Sequence, residues 1–219
     1  MKIIIIGGKG TAVNIADHII NAQRVHGETI EFLGYAIDDP SLKDSINGHP
    51  IVCTTDKLLH TFGHYSDVKF IFSLYKPEKM IERIQLLKSF GISGDKFYTF
   101  IHPTSYVSEH VKLGIGNVVL SNCSINTNVS IGNYNIINSN VVIEHDSNIG
   151  DNNFISAAAC VGSSVDIKNG SFIGLNSSIR ERTVIHNFSF VGIGSNVLKD
   201  VDAGTIVYGN PAKERKNDI

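Results

Sequence analysis

Residues 143–161 read IEHDSNIGDNNFISAAACV, and every sixth residue of that stretch, Ile143, Ile149, Ile155 and Val161, is aliphatic. The spacing continues unbroken in both directions, through Ile101, Val107, Leu113, Val119, Ile125, Ile131 and Ile137 before it and Ile167, Ile173, Ile179, Ile185, Val191 and Val197 after it. A helix repeats every 3.6 residues and a strand every two, so a period of six predicts a hexapeptide β-helix in which each hexad forms one flat side of a coil. Three sides make one triangular turn of eighteen residues. The position four after each anchor is mostly small (Cys123, Ser147, Ala159, Ser171, Ser177, Ser195), as a narrow shared interior requires. Asn117, Asn135 and Asn153 recur there once per coil and are expected to stack as an internal amide ladder. Asn and Gly crowd the corners, where the backbone must visit left-handed conformations.

Before Ile101 the period disappears and an α/β pattern takes its place. The run KIIII (2–6) breaks at Gly7-Gly8-Lys9-Gly10, and a helix is expected from about Thr11 to Val25. A strand follows at 30–37, ending in Asp38-Asp39-Pro40. Next come a short apolar run at 51–53, a helix near 57–64, a strand at 68–74, a helix from Pro77 to Phe90 and a last strand near 98–101. Alternating strands and helices imply a small, mostly parallel, Rossmann-like sheet. Two domains are expected, 1–101 and 102–219, with the boundary at His102-Pro103, where proline favours an extended residue before it.

With 219 residues, 42% of them hydrophobic, and a formal charge of −2, the chain has material for two modest cores and no charge argument for nucleic acid. No apolar run reaches the roughly 20 residues needed to span a bilayer, and MKIIIIGG is too short for a secretory signal. The expectation is a cytoplasmic protein without membrane insertion. Cys53, Cys123 and Cys160 have no CxxC spacing, which argues against a disulfide framework or a thiolate metal site.

Two places carry chemistry. In a parallel sheet ligands bind at the carboxyl ends of the strands, where the GGKG turn offers backbone N–H groups and a helix N-terminus, and where Asp38 and Asp39 could accept hydrogen bonds from a ribose or a base. A glycine turn after a first strand also occurs for steric reasons alone. On the prism, His145 shares its column with Thr127, Ser163 and Glu181, points outward, and stands between Glu144 and Asp146. A histidine held by a carboxylate suits general-base work near neutral pH.

The segment IEHDSNIGDNNFIS (143–156), the GGKG turn, the Asp38-Asp39 pair and the terminal Gly209-Asn210-Pro211-Ala212-Lys213 together resemble the PglD/NeuD-type sugar acetyltransferases, in the same order along essentially the whole chain. The resemblance implies a left-handed parallel β-helix and acetyl transfer from acetyl-CoA to the amino group of a nucleotide-linked deoxyamino sugar, a 4-amino-4,6-dideoxyhexose for a surface glycan. With no Cys or Ser nucleophile evident beside His145, direct transfer is expected. It makes His145 the base and Asp146 the carboxylate that strengthens it. It places Lys9, Gly10, Thr11, Asp38 and Asp39 on the nucleotide sugar, and Phe154, Leu175 and Ile193 on acetyl-CoA. A backbone N–H near Gly162-Ser163 is expected to receive the oxyanion, which groups those two with the cofactor residues. No metal is expected.

This chain departs from the family in three ways. Thr11 and Phe154 stand where many members have histidines, and Ser73-Leu74-Tyr75-Lys76 lacks a usual glycine, which is expected to narrow the sugar-nucleotide pocket. The resemblance also implies a homotrimer with CoA between neighbouring prisms. Val118, Ile136, Phe154, Phe172, Phe190 and Tyr208, spaced by eighteen, agree with that as an outward apolar stripe at a corner in need of a partner. Two other readings differ in chemistry: O-acetylation of a sialic-acid type sugar, and a non-catalytic nucleotide-sugar-binding or scaffold role. A zinc carbonic anhydrase would need histidines five apart, and none of the nine is so placed.

Overall fold

The computed structural model describes residues 1–42 and 44–215; the last four residues of the second expected domain lie outside the described residues. KIIII forms β1 (Lys2–Ile6), with β2 (Glu31–Ala36) and β5 (Val68–Phe72) parallel on either side. Ile3 to Ile6 are all fully buried, which is why this strand is continuously apolar instead of alternating. Helix α1 (Thr11–His26) lays Ala12, Ile15, Ala16, Ile19 and Ala22 into the core at helical spacing and ends at Gly27 in the left-handed conformation. Helices α2 (Leu58–Phe62) and α3 (Met80–Ser89) complete this half. The sheet has one element that the sequence reading lacks, a hairpin of β3 (Ser45–Ile46) and β4 (His49–Cys53), antiparallel to each other while β4 runs parallel to β2. Its signal was Asn47-Gly48, both with positive φ, a pairing that favours tight hairpin turns.

From Phe100 onward the chain is a left-handed parallel β-helix built of two-residue strands in three sheets. The first face stacks Phe100–Ile101, Val118–Val119, Ile136–Ile137, Phe154–Ile155, Phe172–Ile173 and Phe190–Val191. The second carries Ser124–Ile125, Val142–Ile143 and Cys160–Val161, and the third Ser130–Ile131, Asn148–Ile149 and Asp166–Ile167. Every anchor from Val119 to Val197 is buried, and so are the small residues four positions later from Asn117 to Val201. The amide ladder is present: Asn135 donates through Nδ2 to Asn117 Oδ1 at 3.0 Å, while the Asn135 and Asn153 backbone N–H groups donate to the side-chain oxygens one coil above, both at 2.8 Å. Corner residues take the left-handed conformation, with Asn the commonest among them. The expected strand near 98–101 divides differently. Phe100–Ile101 pairs with Val118–Val119 in the prism, and only Phe97 bridges to Phe70 of the α/β sheet. Ile101 is also the first hexad anchor, so the prism ladder claims it.

The apolar stripe needs correction. Its residues lie on the first face and not at a corner, and the upper half is covered by the chain's own α/β half: Val118 and Ile136 are fully buried in one core with Phe70, Phe72 and Phe97. Phe154, Phe172 and Phe190 stack on one another at 5.4 and 4.7 Å, and of the stripe only Tyr208 is exposed. A sheet face with large apolar side chains must be buried against something, and here the nearest partner is intramolecular. Tyr75 ties the two halves at one side of this face, its hydroxyl 2.9 Å from both the Tyr134 carbonyl oxygen and the Asn152 amide. At the other side His18 contacts the hydroxyls of Ser121 and Ser139.

Three imidazoles meet at that second side. His102 is buried, its Nδ1 accepts the Thr104 backbone N–H at 3.3 Å, and its Nε2–H donates to Asn21 Oδ1 at 3.1 Å. The rings of His18 and His26 each stand 5.4 Å away. Burial first, and then the two neighbouring imidazoles, hold His102 below its ordinary 6.5, so the folded chain keeps it neutral. Its contribution to stability is complete above 6.5 and is lost as the pH falls through the depressed folded value, because the unfolded chain takes up a proton that the folded one refuses. The melting temperature of wild type should therefore drop between pH 7.5 and 5.5 by more than that of His102→Gln, which keeps a polar group and cannot titrate. Equal drops in the two proteins would show that His102 is not the group responsible.

Candidate active site

His145 and Asp146 occupy the corner between the second and third faces. Asp146 sits in the left-handed conformation (φ 61°), which lets its short side chain turn back to the preceding residue. His145 Nδ1–H donates to Asp146 Oδ2 at 2.7 Å, and Asn128, one coil above, donates from Nδ2 to Asp146 Oδ1 at 3.0 Å. These two hydrogen bonds, the one from His145 first, keep the Asp146 carboxyl below the usual carboxylate range. The ring is half exposed and its Nε2, the tautomer's lone-pair nitrogen, faces outward with no hydrogen bond among the described residues. Glu144 is engaged elsewhere, accepting from Asn126 Nδ2 at 3.1 Å.

One coil below, the Gly162 N–H already donates to Ile179 O, whereas the Ser163 N–H makes no backbone hydrogen bond, so of the expected pair only Ser163 has a donor to offer. Gly162 is glycine for a packing reason: a Cβ there would lie 2.7 Å from the Glu181 backbone nitrogen. Leu175 and Ile193 lie on a different corner, between the first and second faces, with large exposed apolar surface. Phe154 is on the first face and packs partly against the α/β core. Within one chain the expected acetyl-CoA residues are therefore spread over two corners and a face.

The other residues meet in one cavity of about 570 Å³ at the carboxyl ends of β1 and β2, lined by Gly8, Lys9, Gly10, Thr11, Asp38 and Asp39 and closed on its far side by Lys76 and Arg83. Gly7 and Gly8 are packed tightly, but Gly10 (φ 51°, ψ −109°) has open space where a Cβ would be, and α1 begins there without a side-chain cap. Both carboxylates already serve the loop: Asp38 accepts from the Thr55 backbone N–H at 2.6 Å, and Asp39 pairs with Lys9 and accepts from the Ser41 N–H at 2.9 Å. The Lys9 hydrogen bond, followed by those from Ser41, holds the Asp39 carboxyl far below its ordinary range. The expected narrowing at Ser73-Leu74-Tyr75-Lys76 is mild, because Tyr75 turns its hydroxyl toward the prism and the cavity keeps a volume ordinary for ligand sites. Thr55 and Arg83 were not read from the sequence. Neither belongs to a local motif, and only the packing of β4 and α3 brings them to this cavity.

No family model matches the chain, and no curated protein matches it significantly. Solved structures do. PerB from Caulobacter crescentus, in complex with CoA and GDP-perosamine, is 26% identical, with 99% of this chain and 98% of that chain covered and a TM-score of 0.80. A histidine-to-asparagine variant of perosamine N-acetyltransferase from the same organism gives 25%, 99%, 98% and 0.82. The acetyltransferase domain of PglB from Neisseria gonorrhoeae gives 27% identity, 98% and 99% coverage, and a TM-score of 0.81. Over its whole length the chain shares the architecture of these sugar N-acetyltransferases. Among the described residues no group of three or more His, Cys, Asp or Glu could hold a metal ion, and no helix is long and apolar enough to cross a membrane.

Proposed function

We propose that this chain transfers an acetyl group from acetyl-CoA to the amine of a nucleotide-linked 4-amino-4,6-dideoxyhexose, with residues 1–101 holding the nucleotide and the prism holding the transfer site. It is an acetyl-CoA-dependent acyltransferase, a reading supported by its full-length neighbours in complex with CoA. The observation that carries the reading is the His145–Asp146 pair, whose hydrogen bond leaves an unoccupied basic nitrogen at an exposed prism corner.

Acetyl-CoA supplies the activated acyl group. Leu175 and Ile193 fit the role of an apolar wall for its pantetheine arm, and the Ser163 N–H is available to meet negative charge developing on the acyl oxygen. Phe154 does not fit that role in its own chain. His145 Nε2 takes the proton from the sugar amine as its nitrogen attacks the thioester carbonyl, and Asp146 stabilises the imidazolium that results. The C–S bond then breaks, so that CoA leaves as the thiolate and takes up the proton from the imidazolium. Cys160 is exposed on the neighbouring coil, yet burial of its thiol and the nearby Glu144 push its pKa up, the opposite of what a nucleophile needs. Direct transfer is the mechanism.

The α/β half lies over the first face and its two bounding corners, while His145 is on the third corner, opposite that face. A nucleotide sugar bound in the cavity is thus turned away from its own chain's base. A neighbouring chain that presents its His145 to the cavity would complete the site, an arrangement that fits the homotrimer implied by the family resemblance.

Release of CoA should be seen with nucleotide-linked amino sugars and not with the free sugars. Replacing Asp38 and Asp39 together by alanine should raise KM for the nucleotide sugar at least several-fold and leave KM for acetyl-CoA within twofold. An effect confined to acetyl-CoA would mean that the two substrates are assigned to the wrong halves.

A further inference from the structure

The cavity beside Gly10 is lined by three cations and two carboxylates, and they are not evenly matched. Lys9 is paired with Asp39, and Asp38 is held by Thr55. On the opposite wall Lys76, at the end of the loop after β5, and Arg83, on α3, have no carboxylate partner among the described residues. Arg83 is the more telling of the two. Its Nε is buried and makes no hydrogen bond, although a buried guanidinium donor ordinarily finds an acceptor. Helix geometry explains its aim: Arg83 and Leu86, three apart, face the nucleotide cavity, while Ile84 and Leu87 face the prism corner at Tyr134 and Asn152.

A planar fork with an unmet donor, beside a second free cation and across from an uncapped helix start, has the chemistry to hold a phosphoanion. We infer that Arg83 binds the diphosphate of the nucleotide-linked substrate, with Lys76 assisting, so that the cavity is divided into an acidic wall for the ribose and base and a basic wall for the phosphates. This assignment rests on the nucleotide-sugar reading above. The diphosphate is common to the UDP, dTDP and GDP carriers, so anchoring it would leave base selection to the wall at Asp38 and Thr55.

The test is calorimetric binding of UDP, dTDP and GDP, each beside its parent nucleoside, to wild type, Arg83→Gln and Arg83→Lys, with acetyl-CoA binding and circular dichroism as controls on folding. Wild type should prefer at least one diphosphate strongly over its nucleoside. Loss of a charge-assisted hydrogen bond should weaken diphosphate binding by about 10- to 100-fold in Arg83→Gln, leave nucleoside and acetyl-CoA binding unchanged, and be partly restored in Arg83→Lys. Diphosphate affinity within twofold of wild type in a folded Arg83→Gln would overturn the role of Arg83 and leave the nucleotide reading intact. Wild type that binds acetyl-CoA but none of the three diphosphates would overturn both.

Discussion

His145→Ala should lower kcat by roughly 10²- to 10⁴-fold, the usual contribution of a positioned general base, while affinity for the nucleotide sugar stays close to that of wild type. The separation follows from placement: the base stands at the corner opposite the prism face that the α/β half covers, and the cavity proposed for the nucleotide lies wholly within that half. Asp146→Asn should cost less. Asparagine tolerates the left-handed backbone at that position and keeps a hydrogen-bonding oxygen for His145 Nδ1, but it removes the charge that stabilises the imidazolium. The proposed two-chain site adds a second readout. Co-expression of His145→Ala with the Asp38→Ala, Asp39→Ala double variant should yield mixed oligomers more active than either parent, because some interfaces then pair an intact cavity with an intact base. A kcat for His145→Ala within threefold of wild type would remove the mechanism; mixed oligomers no better than their parents would return the site to a single chain.

Ile136→Asp should be the most damaging substitution outside the site. Ile136 is 1% exposed, wedged between the first prism face and the α/β core. Losing a fully buried large apolar side chain costs about 1.5–3 kcal/mol, and the new carboxylate would be buried with no cation beside it, which adds several kcal/mol or forces it to remain protonated. The halves should come apart, seen as a lowered first unfolding transition and early proteolytic cleavage near residues 97–103. Tyr208→Asp, at the exposed end of the same stripe, should change stability by no more than about 0.5 kcal/mol. Similar damage from both would mean that the whole stripe is an interface, as its spacing alone suggests. Loss of the trimer with Tyr208→Asp, without loss of the fold, would locate the intersubunit contact at that end.

The contrast between those two residues shows where sequence reasoning reached its limit. Ile136 and Tyr208 occupy the same register of the same repeat, and nothing local separates them; the α/β half covers one and stops short of the other. The prism itself was legible because it is a periodic structure with nearest-neighbour contacts. Each hexad meets the one eighteen residues away, so column, inward or outward direction and even the Asn117–Asn135–Asn153 ladder follow from counting. His145 and Asp146 were legible for the same reason, being adjacent in the chain, and so were the GGKG turn and the Asp38-Asp39 pair, which terminate strands. The β3–β4 hairpin escaped because β3 is only two residues long, too short for any period to show.

Sequence by itself therefore determined the coil, its interior, the catalytic candidate pair and one wall of the cavity at the strand ends. Only the tertiary structure decided which prism face the α/β half covers, that Lys76 and Arg83 form the other wall, that His102 is enclosed by two further imidazoles, and that the base faces away from its own chain's cavity. The physical reason is the range of the interactions. Backbone ladders and corner conformations repeat at fixed intervals, whereas the docking of one half on the other is set by surface shape and burial among residues far apart in sequence, with no interval to count.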